Sequence, residues 1–580
     1  MAVSAPMVVI PAAIFFALTF CVGSTFAGSW ADKISKKKFL LVARAAEILV
    51  AGFAWMASSW GSITLFLLIA GLMGFLAAGI RVANYSLIPD LVAEKKWVRA
   101  NAWIKSVTLI GSSVAAIGLS VVLKEDVAPN EVCFAVLILA SLSFVITALL
   151  PAQKAVDPEA VLAHNPLDVF EQISKSLRFQ YDKWAYMIGI AWFWVIAVLV
   201  LMLSGEYGQT ILKARWSVIA FLSAGVFPVG YLIGSYLSVW FAKKKPLGAQ
   251  VVVVGALISL ALFDFAFATR ALANIQVDKA ITVFKLLTQH GRYWRVIADV
   301  FAFGILFAMY SIPFYTLLQK HTPRKVMGRT LSFSGLVNAV TVSGALLVVL
   351  SLRLLGLSLV GVVVVFAFFN LLVTLYMVRL LPVVSRRHLI RRALKMLFRV
   401  DMKGLENLEK AGKRALIVTN HTSFMDVLLI SAFIDKQIVF TISEQKMSKL
   451  VVKFMTSLVE VKPLDARSPM AVKAMVEELR QDKLCMIFPQ GLVEGGNSRM
   501  KIYEGPAMMA MMADAPVLPI QINGACYTFF SRVIGHRCER RWFPKISLKV
   551  LPPVSFAYPE EMPNREKREK SSSKLYDIIT

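Results

Sequence analysis

A histidine and an aspartate with four residues between them, His421 and Asp426, stand in the stretch Asn420-His421-Thr422-Ser423-Phe424-Met425-Asp426. A carboxylate beside an imidazole fixes its tautomer and strengthens it as a base, the pairing needed to take a proton from a hydroxyl. The apolar run Ala415-Leu416-Ile417-Val418 just before it predicts a short buried strand, and Val427-Leu428-Leu429-Ile430 opens a helical pattern. His421 is therefore expected at a strand end and Asp426 in the first helical turn, where the helix dipole favours a carboxylate.

The elements around this pair predict an α/β layered domain. Strand candidates are 414–419, 437–442, 484–488, 516–522 and 546–551, with helices such as 426–434 and 469–480 between them. Ahead of it, Ser385 to Arg399 sets Leu389, Ile390, Leu394, Leu397 and Phe398 among Arg386, Arg387, Arg391, Arg392 and Lys395. That is a basic amphipathic helix, which either lies in an anionic membrane interface or packs as a plain linker on the next domain.

Almost everything before residue 380 has the character of a bilayer-spanning segment. The chain of 580 residues is 57% hydrophobic, and eleven apolar runs approach the length of about 20 residues that crosses a hydrocarbon core. They cover 5–27, 39–58, 63–85, 103–123, 131–150, 186–205, 216–240, 248–270, 296–318, 330–352 and 357–380. The expected fold class is thus a multi-domain chain, an all-α polytopic membrane domain followed by an α/β domain. The expected divisions are 1–382 (membrane domain), 383–400 (basic linker helix), 401–560 (α/β domain) and 561–580 (polar tail).

Lysine-rich loops follow the first, third, seventh and ninth runs, at Lys36-Lys37-Lys38, Lys95-Lys96, Lys243-Lys244-Lys245 and Lys320 to Arg329. The alternate short loops carry little positive charge, so the basic loops and the α/β domain are expected in the cytoplasm. Segment 271–295 departs from this with Lys279, Lys285, Arg292 and Arg295, and reads as an interfacial helix. The formal net charge of +27 is absorbed by these loops and by anionic headgroups, and the usual nucleic-acid recognition motifs were not found, so no nucleic-acid partner is expected. Five scattered cysteines and six scattered histidines show no metal or disulfide spacing, and no metal or cofactor is expected. Arg44, Glu47, Arg81, Asp264 and Asp299 fall inside the runs. Arg44 and Glu47 are spaced to pair on one helix face, while Arg81 and Asp299 are candidates for a transport cavity that meets a zwitterionic headgroup.

Gly28-Ser29-Trp30 leading to Lys36-Lys37-Lys38 is echoed by Gly234-Ser235-Tyr236 leading to Lys243-Lys244-Lys245. Two parallel halves are the architecture of major facilitator transporters, and Gly28-Ser29-Trp30-Ala31-Asp32-Lys33 resembles their loop between spans two and three. On that resemblance the first span is expected to be missing from the front of the chain. The glycine would permit close helix packing, and the aspartate would pair with a cation or cap a neighbouring helix.

In the α/β domain, Asn420-His421 with Asp426 resembles the His-x4-Asp motif of glycerolipid acyltransferases. Phe488-Pro489-Gln490-Gly491 resembles that family's Phe-Pro-Glu-Gly, and Val517-Leu518-Pro519-Ile520 its strand ending in proline. Val461-Lys462-Pro463-Leu464-Asp465, Met500-Lys501-Ile502-Tyr503-Glu504-Gly505 and Phe543-Pro544-Lys545-Ile546 resemble one branch, the 2-acylglycerophosphoethanolamine acyltransferases, which occur fused behind a lysophospholipid transporter.

The resemblance implies uptake of lysophospholipid across a bacterial inner membrane and its re-acylation from acyl–carrier protein or acyl-CoA. His421 and Asp426 would be catalytic, and Asn420, Ser423, Pro489, Gln490, Gly491, Arg499 and Lys501 would contact substrate. Two positions depart from the family: Gln490 replaces its glutamate, and Leu492 its arginine. The larger relatives continue into an acyl–carrier-protein synthetase domain, so either a separate synthetase is implied or the chain is a fragment. Two rival readings stand beside this one: acylation of 1-acylglycerol-3-phosphate with a membrane anchor, and a lysolipid transporter whose second domain is inactive and only binds lipid.

Overall fold

Long apolar stretches must satisfy their backbone internally in lipid, and helices do so within one segment. In the computed structural model, the apolar runs are helices. The structure describes residues 5–60, 62–122, 129–162, 168, 171, 181–243, 246–273, 281–288, 291–380, 383–442, 460–463, 469–488, 505–531, 539–556 and 562–579.

The chain divides into two compact units, Met1–Pro382 and Val383–Thr580. The helices of the first are α1 (Ala5–Lys33), α2 (Lys36–Ala57), α3 (Ile63–Leu91), α4 (Trp97–Val122), α5 (Pro129–Ala148), α6 (Tyr181–Glu206), α7 (Trp216–Ala220), α8 (Phe227–Ala242), α9 (Leu247–Ala273), α10 (Val283–Thr288), α11 (Gly291–Lys320), α12 (Met327–Leu354) and α13 (Leu359–Leu380). Nine spans among the described residues are long and apolar enough to cross a bilayer. Segment 271–295, read as interfacial, holds the end of α9 and the short α10 among its described residues before α11 begins at Gly291.

The repeat seen in the sequence has a packing counterpart. α1 packs on α3 as α8 packs on α11, and α1 meets α12 as α8 meets α4. Both α3 and α11 carry an internal proline, Pro89 and Pro313. Close approach explains Gly28: a Cβ there would lie 2.7 Å from the Arg329 Cα and from the Gly328 carbonyl oxygen. Asp32, fully buried, then caps α12, accepting the backbone N–H groups of Gly328 at 2.7 Å and Arg329 at 3.0 Å and the Arg329 Nε–H at 3.2 Å. The expected aspartate therefore both caps and pairs. Arg44 donates to Glu47 at 2.5 Å. Lys36, counted above as a loop lysine, is buried and bonded to the Ser86 carbonyl and to Asp90.

The helices of the second unit are α14 (Val383–Phe398), α15 (Glu406–Lys410), α16 (Met425–Phe433), α17 (Pro469–Arg480), α18 (Gly505–Met512) and α19 (Asn564–Ile579). Its strands are β1 (Asp401–Lys403), β2 (Ala415–Thr419), β3 (Ile438–Ile442), β4 (Glu460–Pro463), β5 (Leu484–Ile487), β6 (Val517–Asn523) and β7 (Ser547–Val550). The sheet order is β1-β7-β6-β2-β5-β3-β4, parallel except for the β6–β7 pair. Parallel strands covered on both faces read as continuous apolar runs, and all five residues of β2 are buried. The short β1 and β4 carry no such run and were not expected from the sequence.

The basic helix α14 packs on α16. Leu394 and Phe398 are buried, Arg391 donates to the Ala432 carbonyl at 2.6 Å and pairs with Asp435, and Arg387 donates to the Lys436 carbonyl at 3.0 Å. Burial pushes the Arg387 guanidinium below its ordinary range, the Asp435 charge opposing and the Arg391 charge adding to that shift. The linker reading thus describes this face, while Arg392, Lys395 and Arg399 remain exposed. The stretch read as a polar tail forms α19, with Ser571 buried against Met511 of α18.

Candidate active site

Parallel strands point their carboxyl ends to one edge of a sheet, and the crevice beyond that edge is where open α/β folds bind ligands. β2 is central, hydrogen-bonded to β5 on one side and β6 on the other, with Val418 opposite both Ile487 and Pro519. Whatever follows these three strands must meet there. His421 comes two residues after β2, Phe488 directly after β5, and the loop 525–531 after β6.

Asn420 anchors the first of these turns. Its Nδ2 donates to the Ile522 carbonyl and its Oδ1 accepts the Ile522 N–H, both at 2.8 Å, as a further rung between β2 and β6. Ser423 is buried, its hydroxyl accepting the Met425 N–H at 3.2 Å and lying 3.3 Å from Thr528 Oγ1. The strand-like bridge between Ser423 and Ser531, and the Phe424 N–H bond to the Phe530 carbonyl at 3.1 Å, tie the turn to loop 525–531. Arg540 braces that loop through the carbonyls of Cys526, Thr528 and Ser531.

Within this frame His421 Nδ1 lies 3.1 Å from Asp426 Oδ2. The same oxygen accepts the backbone N–H groups of Thr422 and Ser423, each at 2.8 Å. Asp426 is fully buried and its Oδ1 has no hydrogen-bond partner among the described residues. Backbone donors favour the ionised carboxylate, and an ionised carboxylate only accepts. The imidazole proton therefore belongs on Nδ1, which leaves the lone pair on Nε2. The histidine side chain is 15% exposed, so the ring edge is within reach of a substrate. Its face stacks on Phe488, with centroids 4.0 Å apart and planes at 26°. The two sequence motifs expected to cooperate therefore touch through their first residues.

Thr422, contributing its backbone N–H to Asp426 and its carbonyl to the Ser531 hydroxyl, and the loop 525–531 had no side-chain signal in the sequence. Pro489, Gln490, Gly491, Leu492, Arg499 and Lys501 lie outside the described residues. A cavity of about 260 Å³, lined by Lys413, Lys436, Gln437 and Lys483 among others, sits at the opposite, amino-terminal ends of β3 and β5. In the first unit, Arg81 and Asp299 are not brought together. Tyr85, one turn beyond Arg81, stacks on Tyr315 of α11 with centroids 4.8 Å apart. Asp299 precedes Tyr315 by 16 residues on the same helix (315 − 299), about 24 Å at about 1.5 Å per residue.

The molecule is a polytopic helical membrane protein carrying an α/β domain with a buried Asp–His dyad at the carboxyl edge of its sheet. The chain belongs to the Major Facilitator Superfamily, whose family model matches residues 2–347. The Acyltransferase family model matches residues 399–523, so the chain carries an O-acyltransferase domain behind its transporter-type domain. Over 137 residues it is 26% identical to the chloroplastic 1-acyl-sn-glycerol-3-phosphate acyltransferase BAT2 of Brassica napus, a match covering 22% of this chain and 38% of that protein's length. A solved bacterial homologue of the iron transporter ferroportin, outward-facing, superposes with TM-score 0.47 at 14% identity, covering 64% of this chain and 91% of the other. The 1-acyl-sn-glycerophosphate (LPA) acyltransferase PlsC of Thermotoga maritima superposes with TM-score 0.25 at 22% identity, covering 33% of this chain and 79% of the other.

Proposed function

We propose that the protein carries lysophospholipid inward through its helical unit and re-acylates it with its α/β domain, 2-acylglycerophosphoethanolamine being the favoured acceptor. The observation that carries the acyl-transfer half is the buried Asp426 holding the His421 Nδ1–H. His421 Nε2 takes the proton of the lysolipid hydroxyl while that oxygen attacks the thioester carbonyl of acyl–carrier protein or acyl-CoA. The carbon–sulfur bond breaks, the thiolate departs with the proton returned by the imidazolium, and an ester remains. Asp426 holds the ring and stabilises its charged form. The second half rests on a transporter-type domain in the same chain: importing a membrane-disrupting lipid beside the enzyme that consumes it shortens its free lifetime. This reading places the lysine-rich loops and the α/β domain on the cytoplasmic side of a bacterial inner membrane, with a separate synthetase as one source of the acyl donor.

The name of the Brassica napus relative favours a second reading, acylation of 1-acylglycerol-3-phosphate. Purified protein given a labelled acyl donor and either 2-acylglycerophosphoethanolamine or 1-acylglycerol-3-phosphate separates the two. Preference for the first acceptor supports the proposal, and preference for the second replaces it. No transfer to either, in protein that still binds lysolipid, leaves a transporter with an inactive second domain.

A further inference from the structure

Two cations inside the helical unit, Arg81 and Lys105, lie against aromatic rings and have no carboxylate partner among the described residues. Lys36 pairs with Asp90, Arg44 with Glu47 and Arg329 with Asp32. Arg81 of α3 instead lies over the Phe20 ring, its guanidinium carbon 5.5 Å from the centroid. Its Nε and Nη2 are buried without a hydrogen-bond partner among the described residues. A Cβ built on Gly335 of α12 would fall 2.2 Å from that Nη2 and 3.3 Å from Ser24 Oγ, so the guanidinium ends where α1 and α12 meet. The Ser24 hydroxyl is itself buried and unpartnered among the described residues.

Lys105 of α4 is 9% exposed. Its Nζ sits 3.9 Å from the Tyr315 centroid and 5.0 Å from that of Phe193, with no ion pair among the described residues. Tyr315 stacks on Tyr85, one helical turn from Arg81, so a single ring pair separates the surroundings of the two cations.

An unpaired charge in a bundle interior is costly and marks a pathway or site more often than a scaffold. Ring faces offset part of that cost but leave the charge in place. Two like charges held together raise the local potential, which repels a metal cation and attracts an anion. A planar fork of N–H donors beside a compact ammonium suits the oxygens of a phosphate.

We propose that Arg81 and Lys105, with the Ser24 hydroxyl, form a site inside the helical unit for one phosphate-class anion, either the phosphodiester of a lipid headgroup or free phosphate. The headgroup version rests on the lysophospholipid reading above; the anion site does not. Asp299 is no part of it.

The test is equilibrium binding of radiolabelled probes to the full chain in a phosphate-free maltoside detergent. The probes are lysophosphatidylethanolamine, monoacylglycerol of the same chain length, and inorganic phosphate. Arg81→Gln and Lys105→Gln are each expected to weaken the phosphate-bearing probe by roughly 10- to 100-fold, the range for a hydrogen bond to a charged group. Monoacylglycerol binding, and the paired control Arg44→Gln, should be unchanged. Binding of lysophosphatidylethanolamine but not inorganic phosphate assigns the headgroup. Binding of inorganic phosphate alone keeps the site and removes lysophospholipid as its cargo. Equal affinity in the parent and both variants, or no binding of either phosphate-bearing probe to the parent, overturns the site. Should Arg81→Gln fail to fold, Arg81→Lys keeps the charge and loses the fork, and Lys105→Met is the second probe. Unchanged affinity for the phosphate-bearing probe in those two overturns the proposal equally.

Discussion

Replacing Asp426 by asparagine isolates the electrostatic part of the dyad, because the side chain keeps its shape. In the parent, Asp426 Oδ2 accepts three N–H groups, from His421 Nδ1, Thr422 and Ser423. The asparagine carbonyl can occupy that position and keep the turn. Only the bond to the imidazole changes in character during turnover, since the ring is neutral before proton transfer and cationic after it. At the 3.1 Å separation, an effective dielectric of about 20 gives a gross attraction of about 5 kcal/mol. A neutral acceptor recovers about 1 kcal/mol of this as an ordinary hydrogen bond. The barrier should therefore rise by about 4 kcal/mol, which lowers kcat by roughly 10³-fold. The buried Asp426 has no exposure to substrate, so KM for the acceptor should hold within about twofold. The assay is steady-state transfer from labelled acyl donor to lysophospholipid by the purified full chain. A kcat within about threefold of the parent refutes the assignment of Asp426 as the group that stabilises imidazolium.

Four further outcomes follow from the same structure. His421→Ala should reduce transfer to the background of a no-enzyme control; turnover above about 1% of the parent removes general-base catalysis by this residue. Phe488→Ala removes the ring stacked on His421, and the loss of about 0.5–1.5 kcal/mol of positioning should cost roughly two- to tenfold in kcat; an unchanged rate means the ring is held by its other bonds alone. Gly28→Ala places a Cβ within 2.7 Å of backbone on α12 and should cost about 1–3 kcal/mol as overpacking, read as a lower Tm in detergent; an unchanged Tm means α1 and α12 are free to separate. For topology, Lys96→Cys at an exposed loop position should resist impermeant thiol reagents in intact cells, whereas labelling from outside reverses the proposed orientation. Lys36 cannot serve this purpose, because its side chain is buried against Asp90.

The parts of this molecule legible in the sequence are those set by local physics. Run length reveals a span because a helix rises a fixed distance per residue and lipid supplies no partner for its backbone. Continuous apolar runs revealed β2, β3, β5 and β6 because strands covered on both faces carry little polar alternation, whereas β7 alternates, with Leu548 and Val550 buried and Lys549 exposed. The strand–turn–helix context put His421 and Asp426 where they are found. β1 and β4 escaped because Asp401–Lys403 and Glu460–Pro463 are edge strands of mixed character, ordered by a neighbour rather than by their own pattern.

What tertiary structure alone decided is partnership. No spacing rule connects Asp32 to Gly328 and Arg329, or Asn420 to Ile522. Phe488 meets His421 only because β5 lies beside β2. The lysines of the loops look alike in sequence, yet Lys36 is bonded inside the bundle. The charges of α14 looked poised for lipid, but Arg387 and Arg391 bond to carbonyls of the domain that follows. Arg81 and Asp299 looked like cavity companions because both are intramembrane charges. Tyr85, one turn from Arg81, instead stacks on Tyr315, the ring that also lies under Lys105. A residue's type and period state how much it costs to bury; which group offsets the cost is a long-range contact, and only the folded chain selects it.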